Sequence, residues 1–400
     1  MKLRIERDDF AQAVEWCAHA LPHRSPVPAL GGLLLTADPD EQVLTVAGFD
    51  YEVSARFEAR AEVLTAGEVL VPGRLLADLA RSLPDHPVEV STEPGDGEDV
   101  QVLCGPVQFA LPAIPREDYP RLPELPPVLG TVDGPAFAEA VAQVAVVAGR
   151  DEALPFLTGV RIELAGDVLR LVATDRYRLA VRELAWEPTA EVPAPEAVAL
   201  VPAKSLYELA RSLQKGERIA LALTPDAAAA APAAAGNGLI GFRAGARQAT
   251  TRLLAGEFIT YQRIFPAAYA GEAVVGRQAL LDAVKRISLV AERHLPVLLA
   301  LDPDRLVVRA GAGGEARGRE ELPARYSGAP VVLAANAAYL TEGLTVLGTP
   351  YARLGFTTPT KPAVLTPCQA PEESVESGGD AGSSAPYRYL FMPQRSTGRA

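Results

Sequence analysis

The sequence predicts an α+β fold in which three similar units follow one another, each with two helices packed on antiparallel strands. The first observation is a strand, a tight polar corner and a second strand, which begin at Leu44, Leu169 and Leu306. The second is a strand and helix, residues 70–83, that recur almost unchanged 130 residues later (200 − 70) as residues 200–213. Three copies of one supersecondary plan account for nearly the whole chain.

Each unit opens with a short amphipathic helix and carries a second helix after several strands. The apolar spacing predicts the first helices around residues 10–14, 137–141 and 280–284, and the second ones around residues 73–83, 203–213 and 339–347. Proline-rich stretches at 112–127 and 265–271 separate the units. We therefore expect three domains, residues 1–127, 128–268 and 269–400, the last with a Glu/Ser/Gly-rich insert at about 371–386 and an exposed tail.

The middle corner differs from the other two because it carries Asp175, Arg176, Tyr177 and Arg178 in succession. A carboxylate at such a place is a candidate general base. A corner aspartate more often accepts hydrogen bonds from the backbone of its own turn, and we favour that interpretation. The two arginines and the tyrosine then become candidates for binding.

Composition excludes several classes of protein. The 400 residues are 48% hydrophobic with a net charge of −12, which indicates a packed protein and on totals argues against a nucleic-acid binder. Three scattered cysteines and no apolar leader favour the cytoplasm and no membrane association. The four histidines stand alone, so we expect no catalytic site, no metal and no cofactor. Residues 236–241 match G-x-G-x-x-G, but without a preceding strand they indicate a hairpin turn.

Basic residues are segregated on the helices despite the acidic total. Arg74 and Arg81, like Lys204 and Arg211, are seven residues apart, so each pair lies on one helix face. One interpretation is an ordinary solvated face. The other is a surface for the phosphate backbone of a nucleic acid, and the recurrence in two units makes the two interpretations about equal.

Three segments around residues 174–179, 257–264 and 390–395 combine apolar and cationic residues. Together they would form an apolar cleft with a polar rim, suited to a short peptide. Periodicity alone equally predicts core strands.

The chain resembles the bacterial DNA polymerase III β subunit family, the sliding clamps. The resemblance is carried by the triple repeat and by residues 173–180 (ATDRYRLA), 361–365 (KPAVL) and 389–395 (YLFMPQR), and actinobacterial members look most similar. It implies three clamp-type domains that dimerise head to tail into a six-domain ring. The ring would be a non-catalytic processivity factor in the cytoplasm, at the nucleoid. It would encircle double-stranded DNA without sequence preference, be opened by a clamp loader, and tether DNA polymerase and repair proteins through their linear clamp-binding peptides.

The resemblance also implies site residues. The peptide pocket would comprise Thr174, Arg176, Tyr177, Arg178, Leu179, Ile259, Arg263, Ile264, Asn336, Tyr339, Leu390, Phe391, Met392, Pro393, Gln394 and Arg395. The DNA surface would comprise Arg24, Arg74, Arg81, Arg150, Lys204, Arg211, Lys215, Arg277 and Lys285. The dimer interface would pair Phe109 and Leu111 with Leu289 and Val290 of a second copy.

Departures from the family pattern are concentrated at the pocket. The family usually has proline where Ile259 stands and an apolar residue where Gln394 stands, and its chains end close to the position of Arg395. The alternative prediction is therefore a clamp paralogue whose altered pocket confers tolerance to a clamp-directed cyclic-peptide antibiotic. Neutral drift explains the same departures.

Overall fold

The computed structural model describes residues 1–22, 27–92, 99–151, 153–189, 197–213, 218–224, 238–291, 295–311, 316–370 and 385–394. The chain forms two compact units, each built from two segments. Unit 1 comprises Met1–Pro135 and Trp186–Leu253, and unit 2 comprises Ala136–Ala185 and Leu254–Ala400. Within the described ranges, no helix is long and apolar enough to cross a membrane.

The described residues contain six α-helices, two for each repeat found in the sequence. They are α1 (Arg7–Ala18), α2 (Gly73–Ser82), α3 (Gly134–Ala145), α4 (Ala203–Ser212), α5 (Arg277–Ser288) and α6 (Ala337–Val346). All six predicted helices are confirmed. The first helices extend by several residues beyond the predicted apolar stretches, and the second helices each end one residue earlier than predicted.

The strands up to the middle corner are β1 (Lys2–Ile5), β2 (Gly32–Asp38), β3 (Val43–Phe49), β4 (Val53–Arg60), β5 (Glu62–Thr65), β6 (Gly67–Pro72), β7 (Val88–Thr92), β8 (Asp99–Cys104), β9 (Val107–Pro112), β10 (Val128–Asp133), β11 (Gly159–Ala165), β12 (Val168–Thr174) and β13 (Arg178–Ala185). The remaining strands are β14 (Glu187–Pro188), β15 (Ala197–Pro202), β16 (Arg218–Leu223), β17 (Leu239–Ala244), β18 (Arg247–Arg252), β19 (Gly271–Gly276), β20 (Val297–Asp302), β21 (Arg305–Ala310), β22 (Gly318–Ser327), β23 (Val331–Ala335), β24 (Tyr351–Phe356), β25 (Ala363–Cys368) and β26 (Tyr387–Phe391).

The sheets are antiparallel, as the alternating sequence pattern predicts. Unit 1 has a five-stranded sheet in the order β5-β1-β7-β8-β9 and a nine-stranded sheet in the order β14-β10-β16-β17-β18-β4-β3-β2-β6. In unit 2 the strands pair in the order β11-β12-β13-β26-β25-β24-β19-β22-β21-β20-β23. The α+β class is therefore confirmed, with helices packed on antiparallel sheets.

The two corners that the sequence aligned have the same geometry. Asp50 and Asp175 each accept hydrogen bonds at Oδ1 from the backbone N–H groups two and three residues later, at 3.0 and 2.7 Å in both corners. The residue after each aspartate is left-handed, with φ of 76° at Tyr51 and 80° at Arg176. Asp175 thus holds its own turn, which confirms the interpretation favoured from the sequence.

Candidate functional site

The floor of the candidate peptide site lies in unit 2, beneath a connecting segment that we call linker 2 (residues 254–270). Leu179 on β13 and Leu390 on β26 are cross-strand partners, and each is only 2% exposed. They form one apolar cluster with Val172, Tyr261 and Val364. Strand pairing therefore brings together two of the three segments that the sequence could only suggest as neighbours, and Tyr261 attaches the third.

Exposed apolar side chains lie on the segments that adjoin this floor. Tyr177 is 57% exposed at the corner, and Ile259 and Ile264 on linker 2 are 37% and 36% exposed. A short 3₁₀ turn, Gln262–Ile264, presents the last of these residues. Large apolar side chains left in solvent beside a buried apolar floor are typical of a surface that binds another chain.

Arg178 does not stand free at the rim. Its Nε donates to Asp175 Oδ2 at 2.9 Å, its Nη1 pairs with Glu342 on α6, and its guanidinium lies 4.4 Å from the centre of the Tyr339 ring. The residue is only 8% exposed. Arg178 therefore ties the corner to α6, and its charge is already compensated by two carboxylates.

The N-terminus of α6 is fixed by the predicted site residue Asn336. Its Oδ1 accepts hydrogen bonds from the backbone N–H groups of Ala338 at 2.9 Å and Tyr339 at 3.4 Å, so Asn336 is the N-cap. The hydroxyl of Tyr389 donates to the carbonyl oxygen of Tyr339 at 2.7 Å. The half-buried Tyr339 ring is thereby held beside the corner.

The residues after β26 make backbone hydrogen bonds to the corner and to strand β23. The backbone N–H of Met392 donates to the carbonyl oxygen of Tyr177 at 2.9 Å, and that of Gln394 donates to Ala334 at 2.8 Å. Gln394 keeps its side-chain Oε1 buried without a hydrogen-bond partner among the described residues. Gln394 therefore adds an unused acceptor to the site, a feature that an apolar residue there would lack.

The other predicted pocket residues differ in exposure. Thr174 is buried, and its hydroxyl donates to the carbonyl oxygen of Arg178 at 2.6 Å, so it supports the turn from inside. Phe391 is fully buried, Pro393 is half-buried, and Arg176 and Arg263 are exposed. Arg395 lies outside the described residues.

Linker 2 is anchored by a buried carboxylate that the sequence analysis missed. Glu163 on β11 is 2% exposed and accepts hydrogen bonds from Arg161 Nε at 2.6 Å, Arg170 Nη1 at 2.9 Å and the Tyr261 hydroxyl at 2.9 Å. Arg170 also donates through Nε to Glu183 at 2.8 Å. Two strands and the linker therefore meet at one carboxylate.

The charges at this junction are mutually stabilised. Burial alone would raise the pKa of Glu163, but the hydrogen bonds from Arg161, Arg170 and Tyr261 outweigh burial and hold the pKa below its ordinary value. Burial and the Glu163 carboxylate raise the pKa of Tyr261, so its hydroxyl stays protonated as the donor. The guanidinium of Arg388 lies 4.5 Å from the Phe265 ring centre and holds the linker further along.

The predicted DNA residues of unit 1 lie on the solvent faces of α2 and α4. Arg74, Arg81, Lys204 and Arg211 are exposed, while the apolar stripe of each helix is buried. Arg74 Nη2 donates to a backbone carbonyl oxygen at 3.0 Å and Arg81 lies 3.6 Å from an aspartate one turn earlier. Lys215 and Arg24 lie outside the described residues.

The predicted DNA residues of unit 2 are of two kinds. Arg150 and Lys285 are exposed. Arg277 is half-buried and donates to the carbonyl oxygens of Thr349 at 2.7 Å and Leu344 at 3.2 Å, so it also closes the end of α6.

The residues predicted for a dimer interface also differ in solvent exposure. Phe109 is half-buried on β9, which ends the five-stranded sheet, whereas Leu111 is only 2% exposed. Leu289 is 84% exposed just after α5, and Val290 is half-buried. Leu289 is thus the most exposed of the four, Phe109 and Val290 are partly exposed, and Leu111 is buried.

Known proteins resemble the chain along its whole length. Three family models of the DNA polymerase III beta subunit match this chain. The model of the N-terminal domain matches residues 1–123, that of the central domain residues 131–259, and that of the C-terminal domain residues 262–376. The beta sliding clamp of Streptomyces coelicolor is 46% identical and covers 100% of both chains. The beta sliding clamp homolog GriR of Streptomyces muensis is 41% identical over 99% of both. A DnaN sliding clamp from Pseudomonas aeruginosa, solved bound to griselimycin, is 25% identical with a TM-score of 0.84 and covers 99% of this chain and 100% of that one.

We expect Glu163→Gln to lower the free energy of unfolding by about 3 kcal/mol at pH 7, because it removes one partner of a buried ion pair. The folded pKa lies below the ordinary value of 4.5, so the stabilisation is complete above that pH and is lost as the pH falls through the folded pKa. The difference between the parent protein and the variant should therefore shrink below pH 4.5 in denaturant titrations.

Glu320→Gln is the matched control, because Glu320 pairs with Arg286 at the surface, where solvent screens the interaction. An equal loss in both variants would contradict the role of Glu163.

Proposed function

Because the chain belongs to the DNA polymerase III β subunit family, the DNA sliding clamps, we propose that it is a processivity factor without catalytic activity of its own. It encircles duplex DNA and tethers replicative polymerase and repair proteins. The single observation that carries this proposal is the site in unit 2, where exposed Tyr177, Ile259 and Ile264 stand on the segments next to the buried floor of Leu179 and Leu390. No covalent chemistry is needed for such a surface to hold a partner.

Partner proteins bind this surface through linear peptides. An apolar peptide side chain covers Leu179 and Leu390, and its neighbours pack on Ile264 and Tyr177. Arg176 and Arg263 remain exposed at the rim for polar contacts. The other predicted pocket residues support this surface from within or from α6 and the end of β26.

The ring is a head-to-tail homodimer of six domains, three from each copy, with boundaries at residues 1–127, 128–268 and 269–400. The internal repeats support these boundaries. Phe109, on the edge strand β9, packs against Leu289 of a second copy, with Leu111 and Val290 behind them. An exposed leucine and an open strand edge are what such a heterologous contact needs.

DNA passes through the ring, which a clamp loader opens. Exposed lysines and arginines on the helices contact phosphates and give no sequence preference, and this allows sliding. Because the net charge is −12, DNA should bind the basic residues that are segregated on the helices and should not bind the rest of the protein surface. We place the protein in the cytoplasm, at the nucleoid.

We expect Ile264→Asp to weaken binding of a polymerase-derived clamp-binding peptide at least tenfold, measured by calorimetry on the full chain. A carboxylate beside an apolar floor loses its hydration when the peptide covers it. Leu64→Asp is the matched control, because Leu64 is 59% exposed on β5 of unit 1. Equal affinities of the two variants would show that the peptide binds elsewhere.

We expect Lys204→Ala with Arg211→Ala to shorten retention on nicked circular DNA after loading. The dependence of log affinity on log salt should fall by about 0.9 for each phosphate that the variant no longer neutralises. Arg243→Ala with Arg252→Ala, two exposed positions on the strands of unit 1, should leave retention unchanged. Loss of retention in the control pair alone would reverse the assignment of the DNA surface.

A second candidate function is tolerance to a clamp-directed cyclic-peptide antibiotic. The observation that favours it is the pair of departures at the pocket: Ile259 projects from linker 2 at 37% exposure, and Gln394 buries an unpaired acceptor. The bulk of Ile259 and the polarity of Gln394 should weaken the binding of a rigid ligand more than that of a flexible peptide, because the peptide can change its conformation to avoid them. The 41% identity to GriR, a clamp homolog, and a solved clamp with griselimycin bound support the same idea.

Ile259→Pro with Gln394→Met tests this second function. We expect the parent protein to bind the linear peptide normally and griselimycin weakly, and the variant to bind griselimycin tightly, as two calorimetric titrations would measure. Equal binding of both ligands by both proteins would mean an ordinary replicative clamp in which the two residues have drifted.

A further inference from the structure

Unit 1 contains a junction that repeats the backbone plan of the candidate peptide site in unit 2. A segment that we call linker 1 (residues 113–127) crosses strands β2, β3, β4 and β18, as linker 2 crosses β11, β12, β13 and β26. Both linkers carry a buried tyrosine followed by an arginine two positions later and an apolar residue three positions later. These residues are Tyr119, Arg121 and Leu122 in linker 1 and Tyr261, Arg263 and Ile264 in linker 2.

The strands beneath the two linkers match pair by pair. Ser54 and Thr250 are cross-strand partners in unit 1, at the place where Leu179 and Leu390 are partners in unit 2. The first members of the two pairs are 125 residues apart (179 − 54), the same offset as the two corner aspartates (175 − 50). Hydroxyl groups therefore stand where the peptide site has its apolar floor.

The ionic anchor of linker 2 is likewise replaced. Thr36 and Thr45 are partners in unit 1 where Glu163 and Arg170 are partners in unit 2. The hydroxyl of Tyr119, near the backbone of Phe49, makes no hydrogen bond of ordinary geometry with the described residues. Four large side chains of the second junction thus correspond to four small hydroxyl side chains in the first.

This replacement leaves a cavity of about 560 Å³ between the sheet and linker 1. We call it the hydroxyl cavity, after Thr36, Thr45, Ser54 and Thr250 on its floor. Its volume falls within the range of about 300–1,000 Å³ typical of ligand sites. The cavity lies wholly within unit 1, so it needs no second copy and no part of unit 2 to complete it.

One arginine of the cavity lining is left without a carboxylate partner. Three arginines (Arg56, Arg116 and Arg121) and two glutamates (Glu68 and Glu124) line the cavity, in a chain that is acidic overall. Arg56 pairs with Glu58 at 3.0 Å, Arg116 pairs with Glu68, and Thr36 donates to Glu68 at 3.2 Å. Arg121 is exposed at the rim and has no ion-pair partner in the described part of the chain.

The floor and walls are chemically distinct. The Ser54 and Thr250 hydroxyls lie 2.7 Å apart and are 5% and 4% exposed. Leu34, Leu122 and Leu125 supply apolar walls. Hydroxyl and guanidinium donors inside apolar walls suit a carboxylate that enters on a chain with apolar neighbours.

We propose that the hydroxyl cavity binds a short linear peptide of a partner protein through an acidic side chain flanked by apolar residues. Arg121, the Thr45 hydroxyl and the one hydroxyl hydrogen that the Ser54–Thr250 pair leaves unused donate to the carboxylate, and Leu122 and Leu125 contact its neighbours. Each protomer then has two peptide sites on one backbone plan, an apolar-floored one in unit 2 and a hydroxyl-floored one in unit 1. This site goes beyond the proposed function and does not depend on it.

The test uses the full chain with Ile264→Asp, so that binding at unit 2 does not obscure the result. The probes are three blocked pentapeptides, Ala-Leu-Asp-Leu-Ala and its counterparts with Asn or Leu at the centre. We expect calorimetry to give saturable, sub-millimolar binding for the Asp peptide and affinities at least about tenfold weaker for the other two, because a charge-assisted hydrogen bond is stronger than a neutral one.

Two variants locate the binding. Arg121→Ala, a surface change, should weaken binding of the Asp peptide several-fold, whereas Arg243→Ala, at the exposed position of β17, should leave this binding unchanged. Ser54→Leu with Thr250→Leu copies the floor of unit 2 and should abolish binding of the Asp peptide in a protein that still unfolds cooperatively. If that double variant fails to fold, Arg121→Ala alone decides.

The proposal would be overturned by no saturable binding of the Asp peptide, by equal binding of all three peptides, or by binding that Arg121→Ala leaves unchanged. A preference for the Leu peptide would also overturn it, because it would mean an apolar site. None of these results bears on peptide binding at Ile264, which the calorimetry of the preceding subsection measures separately.

Discussion

The contact between the Tyr261 hydroxyl and the Glu163 carboxylate is the interaction on which the candidate peptide site depends. Linker 2 has no strand ladder of its own, so side chains must fix its position over the sheet. A carboxylate removed from water is destabilising unless it accepts its full set of hydrogen bonds. Glu163 therefore favours the one linker position that supplies the missing donor. Arg161 and Arg170 supply two of those donors from the strands, and only a linker that brings Tyr261 completes the set. The exposed rim is therefore held in position by buried hydrogen bonds beneath it, which a bound peptide does not contact.

Sequence reasoning predicts the local features well and the long-range ones poorly. Helix periodicity and the Asp175 turn depend on residues within a few positions of one another, so all six helices and both corners follow from the sequence. The Glu163–Tyr261 bond joins residues 98 positions apart, and the Arg178–Glu342 pair joins residues 164 apart. Such contacts depend on strand register and side-chain direction, which composition does not reveal. The sequence accordingly predicts Arg178 as a rim cation, whereas the structure compensates its charge twice.

The two junctions show how one backbone plan carries different chemistry. Strand register, the corner aspartate and a buried linker tyrosine are kept in both units, although only Tyr261 makes a hydrogen bond through its hydroxyl. The floor positions are free to vary, since either Leu179 with Leu390 or Ser54 with Thr250 satisfies the pairing of the strands. Function thus follows the side chains at a few inward positions rather than the fold that the units share.

The position of β9 at the edge of its sheet makes a single protomer prone to aggregate. A strand at the end of a sheet presents unpaired backbone groups to any other chain, and natural edges are commonly protected by charged residues. Residues 107–112 (VQFALP) contain no charge, and the proline at their end is the one protective feature of the strand itself. Ring closure would cover this edge, so a newly made chain is most prone to aggregate in the interval before it finds its partner. Dimerisation and aggregation then compete for the same strand edge, because both use the unpaired backbone groups of β9.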